Sequence, residues 1–220
     1  MLGAKAWPQV PDGGLLAVPL GATEQHGPHL PLDTDTRIAV ALAEGLASRR
    51  ADVLIAPALP YGSSGEHAAF AGTLSIGQQA LELVLVELVR SAWFAAGVVL
   101  VCWHGGNAEP LERATALLDR ESRRILSWLP TIRGGDAHAG RTETSLMLAL
   151  APEAVRRRRA KPGNTLPLAT IAADLRRDGV RAVSPNGVLG DPAGATAEEG
   201  RRLLDTLVDD LASAVTAWVT

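Results

Sequence analysis

Glu24, His26, His29, Asp33 and Asp35 crowd into one Gly/Pro-rich stretch, Gly21 to Asp35. Imidazole nitrogens and carboxylate oxygens are the donors that Zn²⁺, Fe²⁺ and Mn²⁺ accept. A divalent ion held by them makes water nucleophilic near neutral pH. Glu24 and His26 are spaced i, i+2, so an extended segment would turn both to one side. A kinked loop would instead offer them to two adjacent ions. Asp35 sits at the apparent start of a helix, where an N-cap is an equally good reading. Asp33 competes with it as a donor, and spacing alone does not separate the two.

The remaining histidines extend the pattern. All five (His26, His29, His67, His104 and His138) lie in or beside turn signals. A lone histidine is more often structural, but five in Gly-flanked loops favour a site. Glu143 falls in the first turn of a helix, five residues after His138. Charge–dipole placement, about 0.3–1 kcal/mol, would account for it without chemistry. The functional reading is a ligand on a rigid element, with His138 on the preceding loop as proton carrier. Two cations within about 4 Å need several carboxylates to limit their repulsion, and Glu24, Asp35 and Glu143 would supply three.

These residues need elements to position them. Leu15 to Leu20, Val53 to Ala56, Val98 to Trp103 and Ile125 to Leu129 read as strands, the first and third nearly continuous in apolar character, as in buried parallel sheets. Helical periodicity covers Asp35 to Arg50, Gln78 to Ala96, Glu109 to Arg124 and Thr142 to Leu150. Gly97 reads as a helix C-terminal glycine. A short helix is expected near Ile171 to Arg177 and an amphipathic one from Thr196 to Trp218, where Thr196 and Glu199 suggest a capping box. The alternation predicts an α/β fold with a mainly parallel sheet flanked by helices. Glu24/His26 and His104 then leave the same sheet edge.

The 220 residues fit a single domain, 1–220, without repeats or a convincing linker. A net charge of −3 gives no footprint for nucleic acid. Cys102 is the one cysteine and reads as core. No signal peptide or membrane-length apolar run is evident, so a cytoplasmic protein is expected. The first strand is followed by Gly-Ala-Thr-Glu-Gln-His, not Gly-x-Gly-x-x-Gly, which argues against a dinucleotide binder. Arg156 to Arg159 read as a solvated run.

Glu24-Gln25-His26-Gly27-Pro28-His29-Leu30-Pro31 with Asp35, His104-Gly105-Gly106-Asn107, His138-Ala139-Gly140-Arg141-Thr142-Glu143-Thr144-Ser145 and Gly187-Val188-Leu189-Gly190-Asp191-Pro192 resemble, in order, the motifs of the creatininase family. The stretches Leu32 to Arg37, Gly135 to Ser145 and Val183 to Pro192 are most similar to its mycofactocin-system branch. The resemblance implies a three-layer creatininase-like fold and two divalent ions per subunit, Fe²⁺ or Zn²⁺, with Mn²⁺ also suited. One ion would be held by Glu24, Asp35 and His104. The other would be held by His26, Asp35 and Glu143, with Asp35 bridging and His138 as acid/base. Glu66 and His67, in the loop Tyr61 to His67, with Gly105 and Gly106, would meet substrate. The implied substrate is a modified precursor peptide cleaved before its C-terminal Val-Tyr, and the implied assembly is a closed homo-oligomer. Creatininase itself has a glutamate where this chain has Gly106, which argues against creatinine as substrate. A cyclic amide or formamide hydrolase is the nearest alternative. A non-catalytic metal-binding regulator is the other, although it has no need of an unliganded His138.

Overall fold

A computed structural model describes residues 1–132 and 134–220. The chain runs β1 (Leu15–Leu20), α1 (Thr34–Arg49), β2 (Val53–Ile55), α2 (Gln78–Ser91), β3 (Gly97–Cys102), α3 (Ala108–Arg120), β4 (Ile125–Trp128), α4 (Arg141–Leu150), α5 (Leu168–Asp178), α6 (Val180–Val183) and α7 (Ala197–Val219). The four strands are parallel, in the order β2-β1-β3-β4.

The two central strands, β1 and β3, are buried at every position. Alternate side chains divide the core into two layers. Leu16, Val18 and Leu20 with Val98, Leu100 and Cys102 pack on Leu81, Leu85 and Val89 of α2 and Leu111 and Leu118 of α3. Leu15, Ala17, Val99 and Val101 pack on Ile38 and Leu42 of α1, Leu146 of α4 and Leu211 of α7. Full burial of each such side chain is worth about 1.5–3 kcal/mol. The predicted α/β sandwich, a mainly parallel sheet between helices, is therefore the one observed.

Leu20 pairs in register with Cys102, so β1 and β3 end at the same level. The order 2-1-3-4 also makes the β1–β3 boundary the point where connections diverge to opposite sides. Open α/β sheets place their crevice there, beyond the strands' carboxyl ends. Glu24 and His26 follow β1 and His104 follows β3, so chain topology alone brings them to one place.

Four expected features differ. Helix α2 stops at Ser91 rather than Ala96, because Ala96 N–H already donates to Gly14 O beside the sheet. Gly97 consequently opens β3 instead of closing a helix. Its missing side chain serves packing, since a Cβ there would lie 2.5 Å from the Trp218 ring. Helix α3 ends at Arg120, followed by Ser122 at a φ of 57°. At the start of α7, Thr196 Oγ1 accepts from Glu199 N–H (3.1 Å) as a cap. The Glu199 carboxylate does not complete the box and instead receives Arg141 Nε and Ser145 Oγ from α4.

Candidate metal centre

Six residues from three separate stretches of the sequence meet beyond the β1–β3 edge. After β1 the chain kinks at Gly27, whose φ of 61° favours glycine. The kink lets Glu24 and His26 serve different neighbours. Glu24 Oε1 lies 3.3 Å from His104 Nδ1, and His104 Nδ1 lies 3.4 Å from Asp35 Oδ2. His26 Nε2 lies 3.0 Å from Asp35 Oδ1 and 3.9 Å from Glu143 Oε2. Two potential ligand groups result, Glu24–Asp35–His104 and His26–Asp35–Glu143, sharing Asp35. A third, Glu24–His26–His138, overlaps them.

The donor set fits divalent cations. A tetrahedral ion with bonds of about 2.0–2.2 Å holds its ligands about 3.3–3.6 Å apart, which the separations around His104 match. Both Glu24 oxygens and Asp35 Oδ2 are buried without a hydrogen-bond partner. Buried carboxylate charge left uncompensated costs several kcal/mol, and a cation between these atoms removes that cost. Each imidazole is also turned the right way. His26 Nδ1 lies 3.1 Å from Glu24 O, and His104 Nε2 lies 3.0 Å from Ser63 O. A carbonyl only accepts, so each ring donates there and keeps its lone pair on the nitrogen facing the carboxylates.

Asp35 lies in the first turn of α1, almost fully buried. Asp33 occupies the N-cap position without a side-chain capping bond and instead pairs with Arg37 at the surface. Glu143 is held by Trp103 Nε1–H (3.0 Å) and Ala139 N–H (2.6 Å). Ala139 adopts a φ of 53°, a conformation costing about 1–2 kcal/mol for a non-glycine residue, directly beside His138. The start of α4 is fixed by Asp136, whose carboxylate receives the N–H groups of Arg141 and Thr142. Asn107 ties the Tyr61–His67 loop to the end of β1, accepting from Ser63 N–H and donating to Gly21 O. The sequence singled out neither Trp103 nor Asn107 for these roles, and Asp136 only as part of a motif.

The residues expected to meet substrate are placed less uniformly. His67 is buried, with Nε2 3.3 Å from Glu24 Oε1. Glu66 is partly exposed, and its Oε1 reaches only to 3.8 Å from His104 Nε2 and 4.0 Å from His67 Nε2. A Cβ on Gly106 would lie 2.2 Å from Ser63 O and 2.5 Å from Glu66 Oε1, so packing demands this glycine. Gly105 is exposed and has open space beside it. His29 stands outside the three ligand groups, its Nε2 2.9 Å from Thr144 Oγ1. Cys102 is core, and burial pushes its thiol up to about 12.

Without cations the cluster holds protons. Burial pulls the His26 imidazole down, but Asp35, with Glu143 and Glu24, outweighs it and raises it to about 10. Burial likewise opposes ionisation of His104, and Glu24 and Asp35 raise it to about 10. Burial and the neighbouring Glu24 charge hold the Asp35 carboxyl above its ordinary value, against the pull of His26. Burial works against the Glu24 charge, yet His104, His67 and His138 keep that carboxyl far below the usual range. Ligation requires neutral imidazole, so cation uptake at pH 7 is expected to release about two protons per chain and to strengthen as pH rises towards 10. Calorimetry with Zn²⁺ in buffers of differing ionisation enthalpy checks this, and uptake with no proton release would contradict it.

The creatininase family model, described as creatinine amidohydrolase, matches residues 5–215. The mycofactocin precursor peptide peptidase of Mycobacterium tuberculosis is 50% identical to this chain, covering 99% of it and 91% of that protein. The creatinine amidohydrolase of Pseudomonas putida is 29% identical, covering 91% and 88%. The manganese form of creatininase superposes with a TM-score of 0.82 at 26% identity, covering 97% of this chain and 96% of that one.

Proposed function

The chain belongs to the creatininase family and is an amide-bond hydrolase of that kind, and from this we propose that it is a metal-dependent peptidase of mycofactocin biosynthesis. It hydrolyses the amide bond before the modified C-terminal Val-Tyr of the precursor peptide and releases a small pyrrolidinone-containing product. The 50% identity to the mycobacterial peptidase over 99% of the chain supports the substrate. The observation that carries the chemistry is the pair of ligand groups sharing Asp35.

Glu24, Asp35 and His104 would hold one divalent cation, and His26, Asp35 and Glu143 a second, as Fe²⁺ or Zn²⁺, with Mn²⁺ also suited by the donors. When bound, such ions supply Lewis-acid activation of a water and of an amide carbonyl. His138 accepts the proton from the attacking water as the carbon–oxygen bond forms. It delivers that proton to the departing nitrogen as the carbon–nitrogen bond breaks. Burial holds its imidazole below the ordinary histidine value, so it is neutral and able to accept. His67 and Glu66 line the approach from the Tyr61–His67 loop, with the exposed Gly105 and the adjoining Gly106 on the β3 side. The reading takes 1–220 as one creatininase-like domain that works in the cytoplasm. Among the described residues no helix is long and apolar enough to cross a membrane. The reading also takes the working form to be a closed homo-oligomer.

Anaerobic incubation of Fe²⁺- or Zn²⁺-loaded protein with modified and unmodified precursor peptide, followed by mass spectrometry, tests the reading. Release of the C-terminal product from the modified peptide alone is expected. Failure to cleave with folded, metal-occupied protein would overturn the peptide assignment and turn attention to small cyclic amides and formamides.

A further inference from the structure

Resting on His138 as the proton carrier, we infer that Gln25 is a positioning residue that sets the tautomers of His138 and His67, and so makes Nδ1 the working nitrogen of His138. Gln25 is buried between Glu24 and His26 in sequence, but its amide points to neither. Gly27 N–H, which can only donate, meets Gln25 Oε1 at 2.8 Å. Gly187 O, which can only accept, meets Gln25 Nε2 at 3.1 Å. The two backbone groups fix which end of the amide is which.

Every hydrogen then has one place to go. One Nε2 hydrogen is donated to Gly187 O. The other goes to His67 Nδ1 at 2.8 Å, which must carry the lone pair. Neutral His67 therefore has its proton on Nε2, the atom 3.3 Å from Glu24 Oε1. On the other ring, His138 Nε2 lies 2.8 Å from the main-chain O of Gln25 and must donate to it. Its 3.1 Å approach to Gln25 Nε2 sets donor beside donor and is a contact, not a bond. His138 Nδ1 keeps the lone pair, 3.8 Å from Glu24 Oε1 and facing the ligand cluster.

Gly187 shows how closely the amide is held. Its φ is 80°, and a Cβ there would lie 1.9 Å from Gln25 Oε1. The rings of His67 and His138 lie 4.5 Å apart, and those of His26 and His138 4.3 Å. One residue thus orients two imidazoles, His138 by its carbonyl and His67 by its side chain. His67 Nε2 in turn lies beside the carboxylate of Glu24, 3.3 Å from Oε1 but outside hydrogen-bonding geometry.

Gln25→Glu separates this role from simple turn-holding. The carboxylate still accepts from Gly27 N–H, but it sets an oxygen where the amide donated to His67 Nδ1 and to Gly187 O. Long-range ¹H–¹⁵N correlation on Zn²⁺-loaded protein with ¹⁵N-histidine is expected to show His67 and His138 of the wild type protonated on Nε2. In Gln25→Glu, His67 is expected to gain a proton on Nδ1. On the modified precursor peptide, kcat should fall about 10–100-fold while zinc content holds, the size of effect that supporting partners have at such sites. Gln25→Met, which also loses the donor, should match it. Wild-type His67 protonated on Nδ1, or full kcat in Gln25→Glu, would overturn the inference. The wild-type spectrum decides even if a variant fails to fold. It needs no substrate, so failure of the peptidase reading would be seen separately.

Discussion

Asp35→Ala is expected to leave the purified protein without bound divalent cations and without measurable amide hydrolysis. Asp35 is the residue common to the Glu24–Asp35–His104 and His26–Asp35–Glu143 groups, with one oxygen towards His26 and the other towards His104. Removing a supporting partner from a metal site typically costs about 10–100-fold. Removing a donor shared by two ions costs more, because both groups fall to two protein ligands at once. Asp35→Asn sharpens the result. It keeps the shape but removes the charge that pairs with the buried His26 imidazole, so the apo variant is expected to unfold at a lower temperature while losing its metals. Breaking a buried pair by removing one partner typically costs about 3–5 kcal/mol, because the other charge is left uncompensated. Asp33→Ala is the control: the Asp33–Arg37 pair is exposed, and such pairs are worth about 0–1 kcal/mol. Elemental analysis with thermal unfolding distinguishes the cases. Two ions per chain retained in Asp35→Ala would remove Asp35 as the bridge.

The ambiguity between those two aspartates shows what sequence could and could not tell. Positions 33 and 35 are about 200° apart around a helix. One faces the cluster and the other solvent, but only if the helix start is known to the residue. Strands β1 and β3 were legible because burial on both faces demands unbroken apolar runs. Once they are adjacent and parallel, Glu24, His26 and His104 must converge. Gly97 was misread because its reason lies in contact with Trp218, at the far end of the chain. Gln25 stood inside a recognised motif, but its role depends on atoms of Gly27, His67, His138 and Gly187. Such a network has no local spacing. Trp103 reads as a strand residue for the same reason, since its indole hydrogen bond goes to Glu143 on another element. Elements and ligand types follow local pattern, whereas the groups that orient ligands follow tertiary contact.

His138→Ala is expected to retain two divalent cations per chain and to lower kcat about 10²–10⁴-fold, the usual contribution of a positioned acid/base. The expectation depends on which of the overlapping groups is used. His138 can join Glu24 and His26 in a third potential ligand set, and a histidine spent as a donor could not also carry a proton. Geometry favours the carrier: His138 Nδ1 stands 3.8 Å from Glu24 Oε1, longer than the 3.3 Å separating that oxygen from His104 Nδ1. Its neutral state at pH 7 follows first from burial, and a cation bound through His26 would take the place of the charge that the protonated His26 carries. Alanine removes the proton carrier without removing a carboxylate, so the charge that holds cations is unchanged. KM should move little, because a group used only in proton transfer lowers kcat and kcat/KM together. Metal content and kinetics measured on the same preparation separate the roles. Loss of one ion per chain would make His138 a ligand and leave His67, a buried histidine beside Glu24 that belongs to none of the three ligand groups, as the remaining candidate for the proton.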